Sequence, residues 1–128
     1  MAQPVVHFEV IGTDPGRLRG FYTELFGWEF DTSGSVAEAV SRPGEYGFVD
    51  NARASQGAGI PGGIGGGPGY APRALFYVGV PDVAAALQQA ERLGGARQMG
   101  PERAPGRDLV VGRFTDPEGN LVGVAGPA

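Results

Sequence analysis

The chain has 128 residues and a formal net charge of −4, with 19% charged and 41% hydrophobic residues. That is the balance of one globular domain with a real core, and it argues against disorder and against a nucleic-acid partner. Every basic residue is arginine and there is no cysteine, which excludes lysine Schiff bases, a lysine phosphate loop, disulfides, thiolate nucleophiles and cysteine-held metal.

Residues Pro4 to Ile11 alternate and are rich in Val and Phe, the pattern of a strand with His7 and Glu9 on one face and Val6, Phe8 and Val10 on the other. Asp14 stands where a helix N-cap belongs, with Pro15 at the first helical position. Leu18, Phe21, Tyr22 and Leu25 recur at helical spacing, so an apolar stripe facing the core is expected, and Gly27 closes the helix. By the same spacing Phe21, Tyr22, Phe26 and Trp28 read mainly as core. Trp28 to Asp31 reads as a short strand. The stretch 32–43 fits either a helical turn or a loop. Tyr46 to Asp50 reads as a strand. Ile60 to Gly66 reads either as a very glycine-rich strand or as a flexible loop, and Gly67 to Pro72 as a linker.

Ala74 to Val80 is the next strand. Asp82 caps a helix with a stripe of Val83, Ala86, Leu87, Ala90 and Leu93, and Gly94-Gly95 ends it. Ala96 to Met99 reads as a strand followed by a Pro-rich loop, and Leu109 to Thr115 as another strand. Asp116-Pro117-Glu118-Gly119-Asn120 is a tight-turn signal, after which Leu121 to Ala125 pairs back. No basic-then-apolar leader opens the sequence, and no apolar run approaches about 20 residues. The expectation is a cytoplasmic protein with no membrane partner.

The two halves match. Phe8 and Phe76, Val10 and Val78, Asp14 and Asp82, Leu25 and Leu93, and Gly27 and Gly95 all share one offset. With room for only two copies, this is a pseudo-symmetric pair of β-α-β-β-β modules. Module one runs over about 1–67 and module two over about 73–128 of a single domain.

Three segments carry a resemblance: Val6-His7-Phe8-Glu9-Val10; Asp14-Pro15 leading into Phe21-Tyr22-Thr23-Glu24-Leu25-Phe26-Gly27-Trp28; and Phe114-Thr115-Asp116-Pro117-Glu118-Gly119-Asn120. Together they resemble the vicinal oxygen chelate superfamily of glyoxalase I, bleomycin-resistance proteins and extradiol dioxygenases. Pro61 to Gly66 further resembles its subgroup related to lactoylglutathione lyase. The resemblance covers essentially the whole chain. It implies an α+β fold of two tandem βαβββ modules forming an open, cup-shaped curved sheet, often completed by a second subunit in a homodimer.

The resemblance also implies where a divalent metal would sit: on a His or Gln in the first strand of each module and a Glu in the last. His7 matches. Its counterpart Leu75 and the last-strand position Gly123 do not, and no carboxylate lies between Ile60 and Gly66. One of the four ligands implied by the resemblance remains, whereas a catalytic metal needs about three protein ligands. No cofactor is therefore expected, the alternative being a weakly held divalent metal on His7 and Glu9.

The leading expectation is a small-molecule-binding protein of the bleomycin-resistance type without the usual metal site. The alternative is a metal-dependent or metal-free glyoxalase- or dioxygenase-like enzyme using His7 and Glu9, with His7 as the catalytic candidate. The expected ligand-binding residues are His7, Glu9, Tyr77, Arg113, Trp28 and Phe48. His7 is the only histidine, and imidazole is the side chain suited to acid–base work near neutral pH. The bland reading makes it a hydrogen-bonded wall residue. Glu9 alternatively pairs with an arginine such as Arg113, because a buried unpaired carboxylate is costly. Trp28 and Phe48 are core by default. Gly57-Ala58-Gly59-Ile60-Pro61-Gly62 matches GxGxxG in form only, since no helix follows. Ser33, Ser35, Ser41 and Ser55 lie near no nucleophile elbow.

Overall fold

The computed structural model describes residues 2–50 and 59–128. Gly57, Ala58 and Ser55 lie outside the described residues. The chain forms two compact units, His7–Ala74 and Leu75–Ala128, the latter joined by the N-terminal residues up to Val6.

In the first unit, β1 (Val5–Gly12) leads to α1 (Pro15–Phe26), β2 (Gly47–Val49) and β3 (Gly62–Gly66), with strand order β2-β3-β1. The helix ends follow the sequence signals. Asp14 Oδ1 accepts the Arg17 N–H at 3.2 Å, and Gly27 closes the helix at φ 74° with its N–H on the Thr23 carbonyl. Only glycine takes that left-handed backbone without strain. The strand expected at Trp28–Asp31 shrinks to a single bridge between Asp31 and Phe48. The cause is local: Asp31 Oδ1 accepts from the Ser33 N–H (2.8 Å) and hydroxyl (2.6 Å), a turn that competes with further pairing. Those bonds hold the exposed Asp31 carboxyl below the usual carboxylate range.

β3 settles the open reading of the glycine-rich segment as a strand rather than a flexible loop. It pairs parallel to β1, Phe8 opposite Gly62 through Gly12 opposite Gly66, and antiparallel to β2. All five of its residues are buried. Ser41, also buried, receives the Gly66 N–H at 2.9 Å, so the strand end is tied down by a side chain.

The α1 stripe departs from expectation. Phe21, Leu25 and Phe26 are 58%, 57% and 56% exposed. Tyr22 and Leu18 are half-buried. Helical spacing identifies an apolar face but not what covers it.

In the second unit, β4 (Arg73–Gly79), α2 (Val83–Arg92), β5 (Ala96–Arg103), β6 (Val110–Thr115) and β7 (Leu121–Gly126) realise the full βαβββ pattern. Strand order is β4-β7-β6-β5, with β4 and β7 parallel and the other pairs antiparallel. Asp82 caps α2 through the Ala85 N–H at 3.0 Å. Val83 and Leu87 bury the helix against Val80 and Val124. β5 runs beyond Met99, because Glu102 and Arg103 pair with Val111 and Val110 after two register shifts. Pro101 is tolerated there because β5 lies at the end of the strand order. The Asp116–Asn120 turn closes as expected: the Asp116 N–H reaches the Asn120 carbonyl at 2.9 Å and Gly119 has φ 93°.

Candidate functional site

Each unit holds a polar constellation, and the two are built on the same plan. A row of three residues crosses three neighbouring strands, and the middle residue is glycine. In the first unit the row is Glu9 on β1, Gly63 on β3 and Phe48 on β2. In the second it is Tyr77 on β4, Gly123 on β7 and Arg113 on β6. Glu9 and Tyr77 are counterparts in the sequence repeat, and the other two members match by strand position, β3 with β7 and β2 with β6.

Glycine in the middle of each row makes room for a tyrosine ring. A Cβ on Gly63 would fall inside the Tyr46 ring, and one on Gly65 would lie 2.6 Å from it. A Cβ on Gly123 would fall inside the Tyr77 ring. Such contacts are far closer than any van der Waals approach, so each glycine is needed where it stands.

In the first unit the Tyr46 hydroxyl is the hub. It donates to Glu9 Oε1 at 2.9 Å and lies 2.9 Å from His7 Nε2. A phenol has one proton. With that proton on the Glu9 bond, His7 Nε2 must be the donor to the Tyr46 oxygen. The chain of bonds therefore has a direction: His7 Nε2–H to Tyr46, Tyr46 O–H to Glu9. Glu9 is only 2% exposed, so its carboxylate depends on such donors. Phe48 packs its ring 4.8 Å from Tyr46 and 6.1 Å from His7, giving the group an apolar side.

In the second unit Arg113, 4% exposed, donates from Nε to the Tyr77 hydroxyl at 3.1 Å. Leu75, the repeat counterpart of His7, is buried and apolar.

The structure thus brings His7, Glu9 and Phe48 together, and Tyr77 with Arg113. It does not bring Trp28 to His7 or Glu9. The Trp28 ring packs against Phe8 (5.2 Å), Tyr22 (5.5 Å) and Phe26 (5.2 Å). Phe8 is the neighbour of His7 on β1 and points to the opposite face, as strand alternation requires. Tyr46 was missed in the sequence, where it reads as an ordinary strand residue. The available signal was the pair Gly63 and Gly65: alternate glycines strip one face of a strand and invite a ring from elsewhere.

Among the described residues no three His, Cys, Asp or Glu side chains gather closely enough to hold a metal ion. His7 and Glu9 instead share the Tyr46 hydroxyl.

The model of the Glyoxalase/Bleomycin resistance protein/Dioxygenase superfamily matches residues 5–124. The chain belongs to that superfamily. Its fold is shared with methylmalonyl-CoA epimerase from Streptomyces coelicolor in complex with 2-nitronate-propionyl-CoA, at 14% identity and TM-score 0.69, covering 100% of this chain and 99% of that one. Methylmalonyl-CoA epimerase from Mycobacterium tuberculosis matches at 13% identity and TM-score 0.63, over 97% and 87% of the two chains. A hypothetical protein from Bacillus halodurans C-125 matches at 11% identity and TM-score 0.65, over 100% and 96%. These likenesses bear out the α+β reading with paired βαβββ modules. No curated protein sequence matches the chain. Among the described residues no helix is long and apolar enough to cross a membrane.

Proposed function

We propose that this protein binds a small molecule without a metal, as a homodimer in the cytoplasm, in the manner of the sequestering, bleomycin-resistance branch of its superfamily. The observation that carries this reading is Tyr46. Its hydroxyl stands between His7 and Glu9 and engages both, and phenol is a poor substitute for the imidazole and carboxylate donors that hold divalent ions. The residues do not fit the metal implied by the superfamily. The positions that would supply further ligands are Leu75, Gly123 and one between Ile60 and Gly66, where no carboxylate stands, and both Gly63 and Gly123 lie under tyrosine rings. Small-molecule sites need apolar walls with a few placed polar groups. Within the first unit His7, Glu9 and Tyr46 supply the polar groups and Phe48 the apolar wall.

A second reading has its own support. The directed chain from His7 through Tyr46 to Glu9 is suited to moving a proton, so the same residues fit a metal-free acid–base enzyme. The methylmalonyl-CoA epimerases of the same fold make coenzyme A thioesters a sensible class to try.

The test combines metal analysis with calorimetry. Purified protein is incubated with Mn, Fe, Ni and Zn, dialysed and assayed for bound metal beside His7→Ala. It is then titrated with propionyl-CoA, the methylglyoxal–glutathione hemithioacetal, catechol and bleomycin. The expected result is no stoichiometric metal and a heat of binding for one of these compounds that weakens about tenfold or more in Tyr46→Phe. Stoichiometric metal that disappears in His7→Ala would overturn the reading. Turnover of a bound compound would favour the enzyme.

A further inference from the structure

The two helices hold corresponding places in the repeat, yet one lacks what the other displays. Beneath α2 lies a cavity of about 440 Å³ between the helix and the sheet, walled by Val78, Val80, Ala86, Ala90, Phe114 and Val124. One of its wall residues, Ala90, is the repeat counterpart of Tyr22. Gly94 and Ala96, the counterparts of Phe26 and Trp28, are small as well but do not line it. In module one those three aromatics pack on one another at 5.2–5.9 Å. The surplus of that cluster spills outward, leaving Phe21, Leu25 and Phe26 more than half exposed.

We propose that the cavity under α2 receives the aromatic edge of α1 from a second copy of this chain. Three observations favour that occupant. The cavity is apolar and open, and Leu93 at its rim is 72% exposed. A small ligand inside would leave Leu93 in water, whereas a helix edge laid across the mouth covers it. Exposed aromatics on a helix are the side chains that anchor protein interfaces, and they do so by filling pockets. The charges also agree: Arg17 precedes Phe21 by one turn on α1, and Asp116 lines the cavity. The inference deepens the homodimer reading by naming its surface, and it is independent of the His7 site.

The experiment is sedimentation velocity over a dilution series on the full chain, with folding of each variant checked by circular dichroism. Phe21→Ser/Phe26→Ser removes the rings, and Ala90→Phe fills the cavity. The wild type is expected to associate, and each variant to weaken association about tenfold or more. Mixing the two variants should restore association, because one keeps an intact cavity and the other intact rings. A wild type that stays monomeric throughout overturns the proposal. So does a dimer indifferent to Ala90→Phe, which would place the contact elsewhere while keeping the homodimer. Binding of the apolar dye 1-anilinonaphthalene-8-sulfonate to a monomeric wild type, lost in Ala90→Phe, would assign the cavity to small molecules and also overturn it. Where Ala90→Phe unfolds, Ala86→Leu serves as the filling variant.

Discussion

Module two is the plainer copy of the repeat. It keeps all five elements, its helix buries Val83 and Leu87, and Arg113 donates to the Tyr77 hydroxyl. Module one has lost a strand to a single bridge and pairs on both sides of a strand that is almost all glycine. It places three polar side chains on one hydroxyl axis. The difference teaches that the scaffold needs only the row geometry, a glycine flanked by two large side chains. What the flanks carry is free to diverge: a carboxylate and a phenyl ring in one module, a phenol and a guanidinium in the other.

The largest expected effect tests whether the rows are truly equivalent. Gly63→Ala and Gly123→Ala should each destabilise by about 3 kcal/mol in urea unfolding, because each added methyl enters a ring. In double-mutant cycles the cost should shrink when Tyr46 or Tyr77, respectively, is already Ala. A full cost persisting in the Tyr→Ala background would show that the backbone, not the ring, requires glycine, and the comparison would fail for that module.

A smaller effect, about 2 kcal/mol, is expected for Tyr46→Phe, which takes a donor from a buried carboxylate. The same variant tests the direction of the hydrogen-bond chain. With a single histidine, the ¹⁵N spectrum of the neutral ring is unambiguous: the wild type should carry its proton on Nε2, and Tyr46→Phe should release that preference. A wild-type ring protonated on Nδ1 instead would reverse the chain.

The smallest effect concerns the Asp116–Asn120 turn of module two. Bonds from Asn120, first of all from its side chain, hold the exposed Asp116 carboxyl below the usual carboxylate range. A folded value below the unfolded one means stability that is present above the ordinary Asp range and lost as pH falls through the lowered value. Asn120→Ala should raise the Asp116 midpoint in a ¹³C carboxyl titration and narrow that acid window. An unmoved midpoint would remove Asn120 as the cause.

Much of the fold was legible because its signals are local. Asp14, Gly27, Asp82 and the Asp116–Asn120 turn act on their immediate neighbours, and the structure keeps each of them. The sequence of β3 fits strand and loop alike because glycine offers no alternation to read, and its pairing is set by β1 and β2, far away in sequence. His7 and Glu9 were visible through strand alternation and the family resemblance. Tyr46 was not, since its role depends on a bare face made by Gly63 and Gly65. The α1 stripe misled for a different reason: period reports that a face is apolar, and the same period serves a core or a docking edge.

The ring-over-glycine arrangement also constrains how this chain can change. Placing a carboxylate at position 63 or 123 requires Tyr46 or Tyr77 to leave first or at the same time. Each single step alone meets a steric clash or strands a buried charge. The two tyrosines therefore act as a lock: while they lie over glycine, no single substitution seats a carboxylate at either position without a clash.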